Sequence, residues 1–173
     1  MDQKPYLFNI SVKANVQYAR SNATDDEVVQ ACIRAGIHDV IVSRQDKYNT
    51  LMGENGSAFS GGESQRICLA RLFLQKPKIV FIDEGTSALD LRSEAGIQSS
   101  LKETFAQETM VFVTHRLSTV RDLDLIVILD KNGRIVEKGI HDELIGKHGQ
   151  YYELRKLHEG LKPEPRALID KDI

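Results

Sequence analysis

The most constraining stretch of this 173-residue chain is Ile79–Ile82, a short, wholly apolar and partly β-branched run that ends abruptly on Asp83 and Glu84. Lys76-Pro77 precedes it and two acids follow it, so it reads as a buried parallel strand. Open α/β sheets bind ligands at the C-terminal ends of their strands. Two carboxylates delivered there suit a metal–phosphate site. Upstream, Ser60, Gly61 and Gly62 stand directly before the amphipathic run Glu63–Leu74. A helix start at that point leaves backbone N–H groups free to face an anion. Met110–Val113 is a second apolar strand, and it too ends on polar residues, Thr114 and His115.

The remaining elements follow from local signals. A loop through Pro5, Leu7 and Phe8 leads into a short helix around Val12–Val16. Thr24 and Glu27 form a capping box ahead of Val28, Val29, Cys32 and Ile33, and Gly36 closes that helix. A short helix covers His38–Val42, and Gly53, Asn55 and Gly56 mark a loop. Asp90 or Ser93 caps a helix running to about Phe105, and Leu117–Arg121 is another short one. Leu125–Leu129 and Arg134–Glu137 flank Asn132-Gly133, a hairpin signal. Asp142–His158 reads as one final amphipathic helix, and residues 160–173, with Pro163 and Pro165, as a loosely ordered tail. The expected fold is α/β, with a helical part over about residues 9–75 and the remaining core over about 76–159. Two strands and a hairpin make a thin sheet for this many helices.

Composition narrows the functional classes. With 41% hydrophobic and 28% charged residues the chain is ordinary globular protein. A net charge of -2, with basic residues scattered among acids, gives no electrostatic basis for nucleic-acid binding. Cys32 and Cys68 stand alone within helical patterns, which predicts buried reduced thiols rather than a disulfide or zinc site. The longest apolar run, Leu125–Leu129, is far too short to span a bilayer. The expectation is a soluble chain that reaches a membrane only through a partner.

Taken together, the motifs resemble those of ATP-binding-cassette (ABC) ATPases of the exporter type. FSGGESQR is similar to the family's signature, usually LSGGQ, with Phe59 in place of Leu and Glu63 in place of Gln. IVFIDE resembles the Walker B strand, SALD the D-loop, THR the switch-histidine loop, Gln3 with Pro5, Leu7 and Phe8 the Q-loop, and Gly53-Glu54-Asn55-Gly56 the loop before an exporter signature. The match runs from Gln3 to about Leu157 in a fixed order. It implies a P-loop NTPase (RecA-like) core with a helical signature subdomain, using ATP and Mg²⁺. It assigns Asp83 to Mg²⁺ through its water shell, Glu84 to the attacking water as general base, His115 to the γ-phosphate, and Gln3 to Mg²⁺ or the attacking water. Ser60, Gly61, Gly62 and Glu63 would meet the γ-phosphate of a nucleotide on the opposite subunit, and Asp90 would serve that dimer contact. The implied partners are a second nucleotide-binding domain and transmembrane domains, with the chain at the cytoplasmic face of a membrane.

A P-loop needs G-x-x-x-x-G-K-[ST] to enclose the β- and γ-phosphates, and no such stretch occurs in these residues. The resemblance starts at the Q-loop, which implies a core truncated at its N-terminus and, for the chain alone, no turnover. A second reading is a non-catalytic interaction module pairing through its signature surface or an open sheet edge. A third, a soluble ABC ATPase of DNA repair or translation, lacks the coiled-coil heptads or the second cassette it calls for.

Overall fold

The structure is a computed structural model that describes residues 6–83, 91–114 and 117–158. These divide into two compact units, with the boundary between Val113 and Thr114. In the first unit the order is α1 (Val12–Gln17), α2 (Asp25–Arg34), α3 (His38–Val42), α4 (Gly61–Gln75), β1 (Ile79–Asp83), α5 (Leu91–Thr104) and β2 (Thr109–Val113). The second holds α6 (Leu117–Val120), β3 (Ile126–Leu129), β4 (Ile135–Gly139), α7 (His141–Gly146) and α8 (Gln150–His158).

Helix α2 starts where its sequence dictates. The Thr24 hydroxyl accepts from the Glu27 amide at 3.3 Å and the Glu27 carboxylate accepts from the Thr24 amide at 2.9 Å, which closes the capping box. That bond and Arg20 hold the Glu27 carboxyl below its usual range. Helix α4 is the spine of the unit and packs against both α1 and α2. Its buried face carries Ile67, Leu69, Ala70, Phe73 and Leu74, and Phe73 stacks on Phe105 at 6.0 Å between ring centroids. Lys76, in the left-handed region at φ 49°, ends the helix, and Pro77 turns the chain into β1.

Strands β1 and β2 pair in parallel, with Phe81 opposite Val111 and Asp83 opposite Val113. Val80 and Ile82 enter the core, with Met110 and Phe112 packed against it. The opposite face corrects the expectation of a strand buried on both sides: Ile79, Phe81 and Val113 are each more than half exposed. The helical core lies against the alternate residues only.

Burial raises the Cys32 thiol to about 12, and burial likewise raises Tyr48, whose hydroxyl meets His38 Nδ1 at 2.9 Å. A protonated, enclosed thiol is unreactive, as its place in an apolar helix face implies.

In the second unit β3 and β4 form an antiparallel hairpin. Asp130 Oδ1 accepts from the amides of Asn132 and Arg134 at 2.8 and 2.9 Å, and Gly133 supplies φ 75°. The C-terminal helix is split, where the sequence pattern suggests one continuous element. His148 takes φ 51° and breaks the run. The Glu137 carboxylate caps the restart by accepting from the amides of Gln150 and Tyr151. Leu117, Ile126, Leu144 and Tyr151 form this unit's core.

A buried polar hub fixes the start of the first unit. Asn15 is fully enclosed; its Nδ2 donates to the carbonyls of Phe8, Ile10 and Ser11, and its Oδ1 accepts from the Phe8 amide at 3.0 Å. Arg71, on α4, donates from Nη2 to Asn15 Oδ1 at 2.6 Å, from Nε to the Asn15 carbonyl at 2.8 Å and from Nη1 to the Tyr6 carbonyl at 2.7 Å. Asn15→Ala removes the side-chain acceptor of a partly buried cation and leaves the Phe8 amide unpaired, while the three carbonyls keep their backbone donors. It is expected to lower the unfolding free energy by about 3 kcal/mol, measured by urea denaturation; a loss below about 1 kcal/mol contradicts the hub.

Candidate functional site: the N-terminus of α4 and the C-terminal end of β1

Ser60 is the N-cap of α4. Its hydroxyl accepts from the Glu63 amide at 3.3 Å, and Glu63 Oε2 accepts from the Ser60 amide at 2.8 Å. This capping box satisfies two of the donors at the helix start. It leaves the N–H groups of Gly61 and Gly62 with no intrahelical acceptor, because the first helical bond is Ser64 N–H to the Ser60 carbonyl at 2.9 Å. Gly61 is exposed, and a Cβ there would meet nothing within 4 Å. Among the described residues its smallness therefore answers no packing need. Two N–H groups without intrahelical acceptors, at the positive end of a fifteen-residue helix, suit a phosphate oxygen.

Asp83 is the last residue of β1 and is exposed. Its partner in the ladder is Val113, so both parallel strands end at the same edge of the pair. In sequence, Glu84 follows directly on Asp83, and His115 comes two residues after Val113. Gln3, Glu84, Asp90 and His115 lie outside the described residues. Among the described residues no group of three His, Cys, Asp or Glu side chains is poised to hold a metal. One exposed carboxylate at a strand end nevertheless fits magnesium, which takes few protein ligands and fills its shell with water and substrate phosphates.

The ABC transporter family model matches residues 2–87. Human ATP-binding cassette sub-family B member 5 is 44% identical over 154 residues, which is 89% of this chain and 12% of that protein. The Arabidopsis thaliana ABC transporter B family member 24, mitochondrial, is 45% identical over 152 residues, 88% of this chain and 22% of its own length. A solved bacterial Atm1-family ABC exporter with ATP bound superposes with a TM-score of 0.88 at 37% identity, over 93% of this chain and 28% of that one. The chain belongs to the ABC transporter family. It has the ABC P-loop NTPase fold, and it spans 12% and 22% of the length of the two curated relatives named.

One neighbour of the α4 N-terminus was not legible in the sequence. Arg44, between α3 and the turn at Lys47–Asn49, reaches the Ala58–Glu63 segment: Nη1 donates to the Ala58 carbonyl at 2.9 Å, Nη2 to Glu63 Oε2 at 3.3 Å, and the guanidinium lies 4.1 Å from the centroid of the Phe59 ring. Nothing in its local pattern sets it apart from the solvated basic residues. Gly61→Ala tests whether this glycine serves the chain's own structure. With no clash to pay for, it is expected to raise the unfolding free energy by about 0.5–1 kcal/mol, read by thermal and urea unfolding. A clear loss of stability would mean the glycine is needed by the fold itself.

Proposed function

We propose that this chain is the ATP-hydrolysing module of an ABC transporter, coupling ATP hydrolysis to export across a membrane. The observation that carries the proposal is the capped α4 N-terminus, with two N–H groups of Gly61 and Gly62 left over for an anion and no structural use for the Gly61 hydrogen. The likeness to an ATP-bound exporter supports it.

In this reading residues 9–75 form the helical subdomain and 76–159 the remaining core. Ser60, Gly61, Gly62 and Glu63 face the terminal phosphate of a nucleotide held by a second nucleotide-binding domain, and Asp90 lies at that dimer contact. Asp83 holds the water shell of Mg²⁺. Glu84 accepts a proton from the attacking water, His115 faces the γ-phosphate, and Gln3 meets Mg²⁺ or the attacking water. Mg²⁺ supplies charge neutralisation of the phosphates when bound. Among the described residues no helix is long and apolar enough to cross a membrane. In the proposed arrangement transmembrane partner domains carry the substrate and hold the module at the cytoplasmic face. The 173 residues contain no P-loop sequence, so the phosphate cradle comes from outside them and the chain alone does not turn over.

A non-catalytic pairing module is the second reading, favoured by the exposed Ile79, Phe81 and Val113 on β1 and β2. Phosphate release from Mg-ATP, measured on the chain alone and on the membrane-extracted assembly that contains it, separates the two. The assembly is expected to turn over and to lose at least about 100-fold with Glu84→Gln, while the chain alone is silent. An assembly whose turnover ignores Glu84→Gln contradicts the catalytic reading.

A further inference from the structure

The two side chains by which the signature departs from the usual LSGGQ, Phe59 and Glu63, are both contacted by Arg44. A single carboxylate oxygen, Glu63 Oε2, accepts from the Ser60 amide at 2.8 Å and from Arg44 Nη2 at 3.3 Å. The ion pair is partly shielded, with side-chain exposures of 32% for Arg44 and 23% for Glu63. The guanidinium is further fixed by the Ala58 carbonyl and the face of the buried Phe59 ring.

A carboxylate within the first turn of α4 repels any phosphate that approaches the N–H groups of Gly61 and Gly62 from the same end. A guanidinium bound to that carboxylate cancels most of the repulsion and keeps the carboxylate turned back on the Ser60 amide. We propose that Arg44 is a positioning residue of the signature. It neutralises Glu63 and locks the Ala58–Glu63 segment, so that a glutamate at this position remains compatible with phosphate binding. Phe59, Glu63 and Arg44 therefore act as one unit: the ring gives the guanidinium a platform, and the guanidinium gives the glutamate a counter-charge. This rests on the reading of Ser60–Gly62 as a phosphate-facing element.

The test is a titration of the isotope-labelled 173-residue chain with inorganic tripolyphosphate, followed through the amide resonances of Gly61 and Gly62. Arg44→Ala is expected to weaken binding about five- to tenfold, because the carboxylate is left uncompensated. Glu63→Gln tightens it about twofold to threefold. The double variant Arg44→Ala, Glu63→Gln returns to within about threefold of the wild type, because the charge that needed compensating is gone. Arg44→Lys, which keeps the charge with fewer donors, loses about twofold. A double variant as weak as Arg44→Ala, or Arg44→Lys as weak as Arg44→Ala, assigns Arg44 to loop shape alone and overturns the proposal. Resonances of Gly61 and Gly62 that ignore tripolyphosphate in the wild type and in Glu63→Gln alike sink the phosphate-facing reading itself, and the role of Arg44 with it.

Discussion

The grip of Arg71 on Asn15 is the interaction on which the first unit depends. One guanidinium, projecting from the middle of α4, satisfies the side chain and carbonyl of a buried asparagine and the carbonyl of Tyr6. The asparagine in turn holds Phe8, Ile10 and Ser11. A partly buried charge is held most firmly when its donors all find acceptors, as these do. The hub therefore fixes the register of the entry loop and α1 against α4. Because α4 is continuous from Gly61 to Gln75, whatever fixes its middle also fixes its two ends.

Those ends carry the residues proposed to act. At the N-terminus a reciprocal cap consumes the donors of Ser60 and Glu63 and leaves those of Gly61 and Gly62. At the C-terminus Lys76 and Pro77 end the helix and launch β1, whose last residue is Asp83. The proposed phosphate-facing end and the acid-bearing strand are thus set by one helix. The two need not address the same nucleotide. In the proposed arrangement the acids act on the phosphate of their own domain and the signature on that of the opposite one.

Much of this was legible because the chemistry is local. The Thr24 cap, the helix start just after Ser60, the Asn132-Gly133 turn and the apolar strands are each specified by a few adjacent residues, and the structure forms all of them. What the sequence hid depends on distant partners. Asn15 sits between Val12 and Val16 on an apolar face, a polar residue where a hydrophobic one belongs, and that mismatch was the available signal. Arg44 offered none, because its partners are contiguous only in three dimensions. The break at His148 was hidden for a similar reason: the Asp142–His158 pattern is periodic throughout, and it is Glu137, from β4, that caps the second segment.

The central claim is that Ser60 and its neighbours meet the terminal phosphate of a nucleotide. It is tested most directly by replacing Ser60→Cys in the membrane-extracted assembly and adding an ATP analogue with a thiol-reactive group on its γ-phosphate. The account predicts covalent labelling at position 60 that excess ATP suppresses and that the unsubstituted chain, with Cys32 buried and Cys68 partly buried, does not show. Labelling absent at position 60, or present there but indifferent to ATP, would contradict it.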